Sequence, residues 1–267
     1  MKKIIIFVSL LLFLSGCSQA EKEMGFQKDE TLTVIIGDEQ KVTLRIENKG
    51  GYTKKEIDHI TAQFRKVMKN FEKETNILHL QGVWVTLLRN DETTYNESHN
   101  EENKITLYDA TDETQFYYVL LLNAILSPYD YSFSGEFVRD GLANYFEEKY
   151  TNSFYEESHS IMKFCLEHDC QYPIEELFTS SGYEQNVVNG DDYWVAANQI
   201  SSFSTFLIDT YGMDKFEELY KSINIESNLE NIYVKSAEEL ENEWIAFLKT
   251  NSFDELSEDT KHILSVR

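Results

Sequence analysis

Histidine is scarce in this sequence and poorly spaced for metal chemistry. Six occur in 267 residues, at positions 59, 79, 99, 159, 168 and 262, and no two lie three or four residues apart. A helical zinc site needs two imidazoles one turn apart, so none can form from these. Proline is rarer still: Pro128 and Pro173 are the only two, which excludes a rigid linker. Three cysteines, at 17, 165 and 170, are too few for a disulfide scaffold. Cations are outnumbered, 24 Lys and Arg against 47 Asp and Glu, a formal charge of −23. Such a field repels phosphate backbones and anionic headgroups, which argues against nucleic acid and anionic lipid alike as direct partners. There is no glycine-rich phosphate loop and no G-x-S-x-G elbow.

What is present reads as a globular protein: 42% apolar residues and 13% aromatics, in a chain long enough for one sizeable core. Residues 1–16 form a targeting segment, with Lys2 and Lys3 preceding an apolar run from Ile4 to Leu14 that is too short to span a membrane. It ends in Leu14-Ser15-Gly16-Cys17, which resembles the lipobox of bacterial lipoproteins. The resemblance implies acylation of Cys17 as the new N-terminus, with two acyl chains (palmitate among them) giving stable anchoring on the extracytoplasmic face of the cell membrane. Removing residues 1–16 takes away two lysines and no acid, leaving 22 cations against 47 acids, −25. The acidic excess reads as a solvated surface, with an acidic cleft for basic peptides as the sharper alternative.

Residues 17–28 read as a tether and 29–267 as one domain: an α/β part over 29–112, a helical part over 113–250 and a C-terminal helix or tail over 251–267. Thr31–Ile36 and Lys41–Glu47 alternate apolar and polar residues around Gly37-Asp38, a hairpin signal. Thr53-Lys54-Lys55-Glu56 is a capping box. It opens a helix whose Ile57, Ile60, Phe64, Val67, Met68 and Phe71 share one face. Val83–Leu88 and Ile105–Tyr108 read as strands, and 90–103 as a loop. After Tyr150 the spacing predicts helices over 153–168, with Phe154, Ile161, Phe164 and Cys165 in the core, then 173–178, 191–211, 213–223 and 228–234. A last one is opened by the capping box Ser236-Ala237-Glu238-Glu239 and carries Trp244, Phe247 and Leu248. The fold class is α+β, a small N-terminal sheet with helices followed by a mainly helical part.

The organising stretch is Gln115–Tyr150. Its first helix, to about Leu126, is apolar on almost every face. Its second, from about Glu136, puts Phe137, Leu142, Tyr145 and Phe146 on one side and charge on the other. The segment Phe137-Val138-Arg139-Asp140-Gly141-Leu142-Ala143-Asn144-Tyr145-Phe146-Glu147-Glu148 resembles the W-L-x-E-G-L-A-x-Y-x-E segment of gluzincin-type (peptidase MA) zinc metallopeptidases. Tyr193, Ala196, Phe206, Leu207, Tyr211, Gly212, Glu241 and Trp244 extend the resemblance, which covers residues 83–248. It implies a zincin-like fold in which the Glu of that segment is the third zinc ligand, after an H-E-x-x-H helix upstream. Here Asp140 stands at the Glu position. The upstream motif positions fall on Tyr117, Tyr118 and Leu121, or on Val119, Leu120 and Asn123, none of them a histidine.

Zinc is therefore expected for the family while its ligands are absent from this chain, and no cofactor and no catalytic residue is assigned. Asp140 reads as a structural carboxylate paired with Arg139, a neighbouring donor or solvent near a former cleft, with a retained role in binding a ligand as the alternative. Cys165 and Cys170 can bridge if the chain folds back after Asp169, since five residues apart in one helix they are too distant. Cys165, His168 and Cys170 are a weaker metal set. Asn189-Gly190-Asp191-Asp192 reads as a helix cap, lacking the closing Glu of a calcium loop. Tyr193 could line the inherited cleft, or with Trp194 belong to the core. The favoured function is a lipid-anchored pseudoenzyme that binds a peptide or an envelope protein. The alternatives are an active metallopeptidase with an atypical site around Asp140, drawing on Glu136, Glu147 and Glu148, and a structural envelope lipoprotein.

Overall fold

The computed structural model describes residues 28–37, 41–76, 82–89, 104–110, 135–150, 157–188, 190, 193–222 and 224–265. Four strands form one sheet in chain order: β1 Thr31–Ile36, β2 Val42–Asn48, β3 Gly82–Leu88 and β4 Lys104–Tyr108. β1 and β2 pair antiparallel, with Gly37 at φ 87° beginning their connection. β2–β3 and β3–β4 are parallel. A parallel neighbour needs a crossover, and α1 (Lys54–Glu74) supplies the first one. Side-chain alternation sorts the two faces. Leu44, Ile46, Val85 and Leu87 are buried in one core with Ile57, Ile60, Phe64 and Val67 of α1, while Arg45 and Trp84 point outward.

Thr53 accepts from the Glu56 amide and Glu56 answers to the Thr53 amide, so the capping box forms and fixes where α1 begins. Just before it, fully buried Tyr52 locks the turn to the sheet. Its backbone is bracketed by the Asn48 side chain at 2.8 Å on each side. Its hydroxyl donates to Leu88 O at 2.8 Å and accepts from Ala110 N at 3.0 Å, which ties the ends of β3 and β4 to the start of α1.

The helical part comprises α2 Gly135–Tyr150, α3 Ser158–Glu167, α4 Ile174–Phe178, α5 Ser180–Tyr183 running into a π-helical turn Glu184–Val188, α6 Tyr193–Tyr211, α7 Met213–Tyr220, α8 Ile225–Tyr233, α9 Ala237–Thr250 and α10 Glu258–Ser265. The two parts share one core. Phe71 of α1 lies 5.3 Å from Phe146 of α2, and Lys149 reaches Glu74 at 3.0 Å.

The strands, α1, and the helices opening near Pro173, at Ser236 and closing at Gly212 (φ 94°) lie where the pattern puts them. Several boundaries differ. α8 begins at Ile225 because Asn224 caps the Ser227 amide, and α7 stops at Tyr220. The apolar helix expected over 115–126, with Tyr117, Tyr118 and Leu121, lies outside the described residues, as do Cys17, Phe154, Asp191 and Asp192. Phe164, expected in the core, is half-buried. The expected charged side of α2 also needs correction: Asp140 is 6% exposed, and Glu147 and Glu148 are only partly exposed. α2 is covered on nearly every side.

That covering depends on a close helix crossing. A Cβ at Gly141 would lie 2.6 Å from the Ser204 Cβ of α6, so only glycine lets the two backbones approach this far. Gly141→Ala is expected to lose about 1–3 kcal/mol of unfolding free energy, the overpacking cost outweighing the gain in helix propensity. Urea denaturation monitored by circular dichroism reads it, and a stabilised variant would refute the close crossing.

Candidate functional site

The site begins with α2. Its apolar residues Phe137, Val138, Leu142, Ala143 and Phe146 are buried, and they carry Asp140 into the interior with them. A buried carboxylate must be hydrogen-bonded to be tolerated. Arg139 Nε donates to Asp140 Oδ1 at 2.9 Å, and the Tyr183 hydroxyl donates to Oδ2. Burial raises the Asp140 pKa, opposed by the Arg139 charge and the Tyr183 bond. Arg139 was anticipated as a partner, whereas Tyr183, forty-three residues away, carried no local signal.

Tyr183 is held in place by local geometry. Thr179 accepts from the Tyr183 amide through its carbonyl at 2.8 Å and from Gly182 through its hydroxyl at 3.0 Å. Upstream, Cys165 and Cys170 are joined in a disulfide, their Cα atoms 4.7 Å apart, with Asp169 at φ 54° turning the chain back. The Gln199 amide then grips Tyr172 on both sides, accepting from its N at 2.9 Å and donating to its O at 2.6 Å. The segment that delivers Tyr183 is thereby pinned to α6.

Two helical turns beyond Asp140, about 10 Å of rise, α2 carries Glu147 and Glu148. Burial, reinforced by the neighbouring Glu148 charge, pushes Glu147 up to about 7. Glu148 is also raised by burial, opposed by the hydroxyls of Ser158 at 3.2 Å and Ser201 at 3.0 Å. A carboxyl near 7 is poised for proton transfer in principle. Its distance from Asp140 along the helix separates the two groups. Among the described residues no set of three or more His, Cys, Asp or Glu is grouped to hold a metal ion.

The zinc that the resemblance implies does not fit these residues. Both oxygens of Asp140 are taken by donors, and the motif positions upstream supply phenol, amide and hydrocarbon. His168 stacks on Phe164 and pairs with its carbonyl at 2.9 Å, and the sulfurs of Cys165 and Cys170 are spent on each other. Tyr193 is 58% exposed on the first turn of α6, a surface group where Asp140 is an interior one.

A second polar joint lies deeper. Ser202 Oγ accepts from Trp244 Nε1 at 3.0 Å and pairs with His159 Nδ1 at 2.7 Å, tying α3, α6 and α9. Burial lowers the His159 pKa to about 4. Phe247 and Phe253 lie against its ring, so the neutral imidazole acts as a packing group. Sequence reasoning missed this joint, because its members lie 42 and 43 residues apart.

Residues 1–18 match the prokaryotic membrane lipoprotein lipid attachment site. No curated protein and no solved structure matches the chain. The N-terminal match supports membrane anchoring through a lipid. Among the described residues no helix is long and apolar enough to cross a membrane. Nothing in these comparisons points to a zinc peptidase family.

Glu147 makes the account testable by pH. Its folded pKa lies above its unfolded one, so the cost of burying it is absent below about 4.5 and complete above about 7. Glu147→Gln is expected to raise stability by about 1–3 kcal/mol at pH 8 and to change it little at pH 4.5, read by denaturant titration at both. An equal effect at the two pH values would contradict a buried, proton-holding Glu147.

Proposed function

We propose that residues 1–16 are removed, that Cys17 is acylated, and that the domain stands at the extracytoplasmic face of the cell membrane, where it acts by binding and not by hydrolysis. The scaffold is read as gluzincin-like in element order, with the zinc site replaced by packing. The observation that carries this reading is the double engagement of Asp140. At the position where a zinc peptidase would aim a free carboxylate at its metal, this chain has a carboxylate that joins α2 to α5.

The ligand is a peptide or another envelope protein, and Tyr193, exposed on the first turn of α6, is a candidate contact for it. The atypical-peptidase alternative is weaker. It would have to release Asp140 from Arg139 and Tyr183 and recruit Glu147 or Glu148 from two turns away.

Two measurements test the proposal. Intact mass of the membrane-extracted protein should show loss of residues 1–16 and addition of acyl chains, while Cys17→Ser should remain unprocessed. Incubation of the protein with excess zinc and a mixed peptide pool should yield no new fragments by mass spectrometry. Fragments that disappear in Asp140→Ala would make the chain an enzyme and end the binding-only reading.

A further inference from the structure

The acidity of this chain is unevenly distributed, so the repulsion of anionic headgroups expected from its net charge does not apply equally to every face. Residues 28–110 carry twelve Lys and Arg against fifteen Asp and Glu, net −3, whereas residues 111–267 carry nine against thirty, net −21. Within the first of these parts the cations gather on α1. Lys55, His59, Ala62, Lys66, Lys69 and Lys73 follow one another at helical spacing and are all exposed, with exposed Arg65 on their flank. The stripe runs about 27 Å along the helix. The opposite face of α1 is the core face already described, so the basic stripe looks directly away from the sheet.

The acids on α1 neutralise little of it. Of the helix's four acids, Asp58 is paired with Lys54 at 2.5 Å, Glu56 with Arg89 at 2.6 Å, and Glu74 with Lys149 at 3.0 Å and Lys73 at 3.5 Å, while Glu72 is half-buried near the end of the helix. Among the described residues Lys55, Arg65, Lys66 and Lys69 have no ion-pair partner.

The position of this face relative to the anchor decides what can cover it. Cys17 is eleven residues from Lys28, a reach of at most about 40 Å. Lys28 enters beside the start of α1: a Cβ at Gly51 would lie 4.0 Å from the Lys28 Cβ, and Thr53 caps the helix two residues later. A lipid anchor at Cys17 therefore confines the basic stripe to the neighbourhood of the bilayer. Confinement raises the effective concentration of surface and stripe, so weak contacts suffice. Screening at physiological salt acts over about 8 Å, so only the charges on the face nearest the bilayer contribute to the contact.

We propose that the exposed face of α1 is a docking surface for the anionic phosphate headgroups of the membrane that carries the lipid anchor. The −21 of the helical part is then repelled outward, and the two charge populations orient the domain with α1 toward the lipid. The proposal rests on the lipid anchor. It is independent of whether the domain binds or cleaves.

The test uses the full acylated chain in vesicles of three parts phosphatidylcholine to one part phosphatidylglycerol, and in phosphatidylcholine alone. Cys17 is blocked by its acyl chain and Cys165 and Cys170 by their bond, so an introduced cysteine takes a fluorophore uniquely. Ala62→Cys labels the middle of the stripe without altering its charge, and Val234→Cys, 82% exposed, labels the helical part. Co-flotation with vesicles reads the anchor alone, so a protein that fails to float refutes the anchor and with it the docking that rests on it. For protein that floats, nitroxide-headgroup lipid should quench the label at 62 in the phosphatidylglycerol vesicles and leave the label at 234 bright. Exchanging Lys55, Lys66 and Lys69 for Glu should lower the docked-to-free ratio by about tenfold or more, with the circular dichroism unchanged. Equal quenching at 62 and 234, or quenching at 62 that ignores phosphatidylglycerol, overturns the proposal. So does a label at 62 whose protection tracks protein density, which would assign the stripe to the acidic part of a second copy.

Discussion

The contact between α2 and α6 at Gly141 and Ser204 sets the terms for the rest of this structure. Because glycine brings the two backbones so close, α2 is enclosed by its neighbours, and every polar group it carries must find a partner within the protein. Asp140 finds Arg139 and Tyr183, and Glu148 finds Ser158 and Ser201. Glu147 holds its proton to about pH 7. The disulfide at Cys165–Cys170, the Gln199 grip on Tyr172 and the Thr179 turn can all be read as support for the chain that delivers Tyr183 to the enclosed helix. What looks in sequence like a row of candidate catalytic acids is, physically, a set of desolvated groups with assigned partners.

This also separates fold from chemistry. A helix that once presented a carboxylate to a metal and one that uses a carboxylate to pack against a neighbour can share nearly the same pattern. The pattern is mostly a packing requirement: glycine for the crossing, aromatics for the core. The difference lies in what surrounds the carboxylate. Here a phenol and a guanidinium occupy the directions from which an ion would have to approach.

Much of the fold was legible from residues acting on their near neighbours. The capping boxes at Thr53 and Ser236, the left-handed stop at Gly212 and the alternation in β1 and β2 are decided within a few positions, and the boundaries follow. The site was legible only in part. Asp140 and Arg139 are adjacent in sequence, so their pairing could be anticipated. Tyr183 meets Asp140 only because the short helix α5 packs on α2, and Ser202 gathers His159 and Trp244 from more than forty residues away on either side. Such joints leave no periodic trace. The burial of Glu147 was hidden for a related reason: the hydrophobic side of α2 was visible, but that its charged side would also be covered depends on α3 and α6 arriving from elsewhere. The lipid attachment signal is the opposite case, a short motif read locally and matched as such.

The most direct test of the claim that Asp140 is a packing carboxylate is zinc binding measured by isothermal titration on the chelator-stripped protein and on Asp140→Asn, together with the unfolding free energy of each. The account predicts no saturable zinc site in either protein and a changed unfolding free energy in the variant, because the Asn amide cannot accept from both Arg139 and Tyr183 while the burial cost of the charged carboxylate is gone. Zinc binding near one ion per chain that is abolished in Asp140→Asn, with stability unchanged, would contradict it.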